Sequence, residues 1–163
     1  MGDFDETLEA VPEPPTVTRH DVSLAAAERI VAAARARAAE LGVAAAVAVV
    51  DGVGTLKAFA RMDGAALLPV RIAQQKAWTA ISFGISTNEW WELVSGEPQL
   101  LHGIVHQPDI IVFGGGVPIV DGGEVIGGVG VSGGDHRQDH EIAEHAARFL
   151  DNARAKEKTR VLE

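Results

Sequence analysis

Ten of the chain's 18 glycines fall between Gly114 and Gly134, inside the run IIVFGGGVPIVDGGEVIGGVGVSGG that begins at Ile110. The residues among them are Val and Ile far more than Ser, so the segment is not a flexible linker. A β-rich stretch that gives up side chains this often brings its backbone close to a ligand, another strand or a packed helix. Small side chains prevail elsewhere too: the chain is 47% hydrophobic, with only five Phe, three Trp and no Tyr. That composition predicts closely packed backbone layers rather than a bulky aromatic core.

A length of 163 residues suits one domain. We place an acidic, proline-containing arm, expected to be disordered, at residues 1–18, a single domain at 19–150 and a polar tail at 151–163. The net charge of −9 argues against a nucleic-acid partner, which calls for a basic stripe. Without cysteine there is no disulfide, thiolate metal site or Cys nucleophile. The acidic amino terminus lacks an apolar targeting core, and no apolar run approaches the ~18 residues of a membrane span. The expectation is a cytoplasmic protein with no membrane partner.

Ser23 is a good N-cap, and Leu24, Ala27, Ile30, Ala34, Ala38 and Leu41 then recur at helical spacing up to Gly42. Val43–Val50 reads as a buried strand, turned back at Asp51–Gly54 into a second strand, Thr55–Arg61. On that strand Lys57, Phe59 and Arg61 should share one face, and Leu56, Ala58 and Ala60 the other. Pro69 opens a second helix running to about Phe83. Ser86-Thr-Asn-Glu89 is a capping box for a third, and a short turn or helix covers Pro98–His102. Ile110–Phe113 is predicted as a strand, Gly114–Val117 as a bend. A hairpin around Asp121-Gly-Gly123 follows, and Asp135 caps a last helix with Ile142, Ala146 and Phe149 inward. The order predicts a mostly antiparallel sheet covered by helices, an α+β protein.

Gly128-Val-Gly-Val-Ser-Gly133 is a literal G-x-G-x-x-G, but too little chain follows it to complete a βαβ dinucleotide site. The glycines are better read as letting the last helix lie close on the sheet. Lys76 falls on the apolar stripe of its helix with Ile72, Ala80 and Phe83. A lysine there either snorkels out or meets an anion or acceptor inside. Arg61 and Asp63 end a strand, where they could pair with each other or Arg61 could fork a carboxylate. His102 and His106 sit four apart in an irregular segment, able to ligate iron or to move a proton near neutral pH. His136 and His140 share that spacing, but stand with Asp135, Asp139 and Glu144 on what reads as a solvated face. Adjacent Trp90 and Trp91 cannot both face one core, so one is free to cover a ligand or a partner.

Five ordered blocks resemble one family. They are Val49-Val50-Asp51, Ala58-Phe-Ala-Arg-Met-Asp-Gly-Ala65, Lys76-Ala77 with Thr79-Ala80, Phe113-Gly-Gly-Gly-Val-Pro-Ile119, and Val125-Ile-Gly127 through Gly134 to Gln138-Asp139. Together they look like the GlcG/HbpS-type family, and the C-terminal domain of PduO-type proteins is similar. The resemblance implies a profilin-like α-β-α sandwich and a homo-oligomer, from dimers up to octamers. It also implies that haem is a possible ligand, since some members bind it.

Two functional expectations follow. In the first, the protein binds haem or a similarly flat carboxylate-bearing molecule. Lys76 and Arg61 would meet carboxylates, His102 or His106 would approach the iron, and Gly114, Gly115 and Gly116 would let the ring touch backbone. In the second, the chain is a cofactor-free isomerase, hydratase or lyase for a small organic acid. Lys76 and Arg61 would hold the acid, and His102, His106 or Asp63 would move a proton. A third role, as an assembly or docking unit, would use Trp90, Trp91 and the Ala-rich surfaces.

Overall fold

The computed structural model describes residues 16–149, so the bulk of the expected arm and the polar tail lie outside the described residues. Five helices and four strands follow one another as α1 (Leu24–Glu40), β1 (Ala46–Asp51), β2 (Leu56–Arg61), α2 (Leu68–Phe83), α3 (Thr87–Ser95), α4 (Pro98–Ile104), β3 (Gly116–Asp121), β4 (Glu124–Ser132) and α5 (His136–Ala147). The strands form one antiparallel sheet in the order β2-β1-β4-β3.

Local signals set most boundaries. The Ser23 hydroxyl accepts the Ala26 N–H at the start of α1, and Gly42 takes a left-handed φ of 68° beyond its end. Gly84 does the same after α2 at φ 69°. Gly122 and Gly123, at φ 59° and 88°, make the two-residue turn between β3 and β4. Asp135 caps α5 through the N–H groups of Arg137 and Gln138.

The capping box of α3 is fully formed. The Glu89 carboxylate accepts from the Ser86 hydroxyl at 2.7 Å and the Ser86 N–H at 2.8 Å, and Ser86 Oγ in turn accepts the Glu89 N–H. These bonds, that from the hydroxyl foremost, hold the Glu89 carboxyl below its ordinary pKa. A depressed folded-state pKa contributes stability above the unfolded pKa and loses it as pH falls through the folded one. We therefore expect Glu89→Gln, an exposed site, to cost under about 1 kcal/mol at pH 7. Urea denaturation of both proteins should show that deficit vanish once the carboxyl of the parent is protonated.

The pleat sorts the core into two faces. Val47, Val49, Val129 and Val131 point to one side, where Ala27, Ile30, Ala34 and Ala38 of α1 and Ile142, Ala143 and Ala146 of α5 cover them. Arg37 ties these two helices by donating to Glu40 and Glu141. Ala46 and Ala48 point to the other side, with Ala73 of α2. The result is three layers, helices on both faces of an antiparallel sheet.

Four expectations change. First, Gly128 and Gly130 lie under α2, not under the last helix. A Cβ on Gly128 would come 2.6 Å from the Ala77 carbonyl oxygen, and one on Gly130 would land on that of Ala73. The strict alternation of β4 sends its valines to α1 and α5 and these glycines to α2; of the glycines from Gly127 to Gly134, Gly134 is the one that meets a side chain of α5, Gln138. Second, Ile110–Phe113 is not a strand. Asp109 adopts φ 66°, and the Thr79 hydroxyl donates to the Asp109 carbonyl and accepts the Ile111 N–H, replacing a ladder. Third, a bulge opposite Val49 and Val50 pairs Leu56 with Val50, which moves Leu56 to the face of Phe59 and Arg61. Fourth, β1 begins at Ala46 and β3 already at Gly116.

Candidate functional site

Lys76 leaves the middle of α2 toward the sheet and is completely buried. Its ammonium donates to the Val131 carbonyl at 2.9 Å and to Asp139 Oδ2 at 2.7 Å. The other carboxylate oxygen of Asp139 accepts the Gly134 N–H at 2.9 Å. One ion pair thus joins α2, β4, the turn after β4 and α5. Burial pushes the Lys76 amine down and the Asp139 carboxyl up, each toward its neutral form, while the facing charge and its hydrogen bond oppose both shifts. Asp139 is therefore not on a solvated face. Such a pair forms only where the backbone leaves room. Gly115 runs past at φ 122°, and a Cβ there would sit 2.6 Å from Lys76 Nζ. The Gly116 N–H donates to the Thr87 hydroxyl at 3.0 Å and so ties the same strand to α3.

Phe113 lies over this pair, its ring centre 5.0 Å from Lys76 Nζ. On its outer side a cleft of about 290 Å³ opens between α3, residues 112–114 and the first turn of α5. Asn88 and Trp91, Val112, Phe113 and Gly114, and His136 line it. The two tryptophans divide as helix geometry requires. Trp90 is buried and stacks on Phe83 at 3.8 Å, whereas Trp91 is 41% exposed and walls the cleft. Gly114 allows the loop to thread between the helices: a Cβ there would come 2.6 Å from the His136 carbonyl oxygen and 2.7 Å from Asn88 Oδ1. The arrangement offers two aromatic faces, an amide and one exposed imidazole at a helix N-terminus.

The structure brings together Lys76, Gly114, Gly115 and Gly116 around this corner. It sets Arg61 and Asp63 at the other edge of the sheet, on and after β2. There Arg61 closes the following turn by donating twice to the Ala65 carbonyl, at 3.0 and 2.6 Å, and Asp63 is exposed. His102 on α4 and His106 just beyond it are exposed and do not line the cleft. Asn88 and His136 were not singled out as site residues by sequence reasoning. The capping residue Asp135 immediately before His136 is the signal that could have found the latter, because it puts the imidazole on the first turn beside the glycine bend.

Fold and cleft together define a small α+β binding domain in which backbone, more than side chains, shapes the site. Residues 22–148 match the family described as haem-degrading protein HbpS-like, and the chain belongs to that family. It is 39% identical over 127 residues to an uncharacterized 15.0 kDa protein of Citrobacter freundii encoded between dhaT and dhaS, covering 77% of this chain and 89% of that protein. The crystal structure of Klebsiella pneumoniae protein ORFY superposes with a TM-score of 0.77 at 36% identity, over 83% of this chain and 94% of that one. The crystal structure of a PduOC:heme complex does so with a TM-score of 0.71 at 35% identity, over 78% and 93%.

Proposed function

We infer that this protein is a cytoplasmic small-molecule-binding protein whose ligand is haem or a similarly flat molecule, held in the cleft of Trp91, Phe113 and His136. The observation that carries this reading is the juxtaposition of two exposed aromatic faces with a single imidazole across a glycine-thinned loop. These residues suit the group: planar apolar rings stack on Trp91 and Phe113, and a neutral imidazole is a common haem-iron ligand. Haem, when bound, would supply a redox-active iron, and His136 would hold it. Asn88 would orient a polar edge. Lys76 takes an indirect part: already committed to Asp139, it fixes the floor under Phe113. At about 290 Å³ the cleft takes one edge of a macrocycle, which leaves the carboxylate edge to solvent or a second subunit. A homo-oligomer belongs to the same reading, supported by the exposed Phe59, Leu67 and Leu68 on and after β2.

Titration with haemin tests this. We expect a saturable Soret shift, weakened about tenfold or more in His136→Ala and retained in the double variant His102→Ala/His106→Ala. An unchanged spectrum in His136→Ala would remove His136 as the ligand, and no shift with the parent protein would remove haem.

A further inference from the structure

A second concavity lies on the α2 side of the sheet, between that helix and the β1–β2 hairpin. It has a volume of about 350 Å³ and shares no lining residue with the cleft described above. Trp78 forms one wall. Its indole is pressed so close to the hairpin turn that a Cβ on Gly54, itself at φ 86°, would come 2.7 Å from Trp78 Cδ1. Val50 and Leu56, brought to one face by the β2 bulge, add an apolar floor. Arg71 stands on the helix side. Among the described residues its guanidinium makes no hydrogen bond or ion pair, in a chain whose 23 acidic residues outnumber its 14 basic ones.

Asp109 also lines the groove. Its left-handed backbone at φ 66° is held from two sides, by the Thr79 hydroxyl on its carbonyl at 3.1 Å and by the Gln75 amide on Oδ1 at 3.1 Å. A sparsely populated conformation kept in place by its surroundings is characteristic of ligand sites. Here it aims a carboxylate with one oxygen unclaimed into the groove.

A forked cation, an aromatic wall and a carboxylate acceptor around one groove describe the complement of one kind of molecule. We propose that this groove binds a single-ring aryl carboxylate carrying a hydroxyl or amino group opposite the acid. The acid accepts the paired N–H groups of Arg71, the ring lies against Trp78, and the hydroxyl or amino hydrogen goes to Asp109. The volume is at the lower end for small-molecule sites, which suits a single ring. Placement of Asp109 also sets polarity, because a ligand acid beside it would meet a like charge.

The test is a titration of the full chain, labelled with ¹⁵N, with 4-hydroxybenzoate, benzoate and 4-hydroxybenzamide. The expected result is saturable movement of the Trp78 indole and Arg71 Nε–H signals with 4-hydroxybenzoate. Affinity should fall about tenfold or more with the uncharged amide, and by a similar factor in the Arg71→Gln variant. Asp109→Asn, which keeps a residue tolerant of the left-handed backbone, should erase the preference for 4-hydroxybenzoate over benzoate. No movement of the Trp78 signal up to about 10 mM ligand, or equal affinity in Arg71→Gln, would overturn the proposal. Arg71 is exposed, so its variant should fold as the parent does.

Discussion

Replacing Lys76 with Met is expected to destabilise the protein by about 3–5 kcal/mol, because it leaves the Asp139 carboxylate buried without its counter-charge. Asp139→Leu should do comparable damage by stranding the ammonium, which among the described residues donates only to Val131 and Asp139. The double variant Lys76→Met/Asp139→Leu should recover most of either loss. No buried charge then remains, and the residual deficit is the hydrogen bonding of the Gly134 N–H and the Val131 carbonyl, about 1 kcal/mol each. Urea denaturation of the four proteins gives the coupling energy directly. The pH dependence has a definite sign. With Lys76 gone, burial alone raises the Asp139 pKa in the folded state, so folding favours its protonated form. The deficit of Lys76→Met should grow as pH rises above the ordinary carboxylate range and shrink as pH falls into it. Single variants that each cost under about 1 kcal/mol would show that the pair does not bind α2 to α5.

Gly130→Ala is the second large effect. The added methyl would fall on the Ala73 carbonyl oxygen, with the Ala77 nitrogen 2.6 Å away. Both neighbours are helix backbone, so no rotamer change relieves the clash, and α2 must lift from β4 along its whole contact. We expect a loss of about 3 kcal/mol or more, the upper range for overpacking. Gly103→Ala provides the opposite limit. That glycine lies in α4 with nothing near its missing Cβ, so alanine should stabilise the helix by up to about 1 kcal/mol. Thermal and urea unfolding of the two variants should move in opposite directions. A Gly130→Ala protein within about 1 kcal/mol of the parent would mean that α2 does not rest on β4 backbone.

Periodicity and caps made the helices legible. Ser23, Pro69, Ser86 and Asp135 each stand at or within a residue of the boundary they predict, because a cap is a local interaction. What escaped the sequence is what depends on residues far away in the chain. Ile110–Phe113 has strand composition, but the hydroxyl of Thr79 thirty positions earlier takes the bonds a ladder would need. Asp139 sits among charged neighbours and looks solvated; its burial follows from the position of Lys76 on another helix. The family blocks pointed to one cleft around Arg61, Asp63, Lys76 and Gly114–Gly116; Lys76 and the glycines share a corner, Arg61 and Asp63 lie at the other sheet edge, and the facing walls, Trp91 and His136, come from elements that only folding brings together. The unusual position of Lys76 on an apolar stripe was the one long-range fact readable in advance, since a buried lysine demands a partner somewhere.

The strand order carries a kinetic consequence. The two inner strands, β1 and β4, come from opposite halves of the chain, with Val47 facing Val131. The β1–β2 hairpin is made early, but its largely buried strand β1 lacks its second neighbour until synthesis has passed residue 132 and lacks α5 until it has passed residue 147. Until then an apolar strand edge is open to any other nascent chain. Closing the sheet means closing a loop of about eighty residues, which puts refolding in the millisecond-to-second range of non-local topologies rather than the microsecond range of helical bundles. Chains cut short before β4 should accordingly aggregate rather than remain as a soluble half-domain.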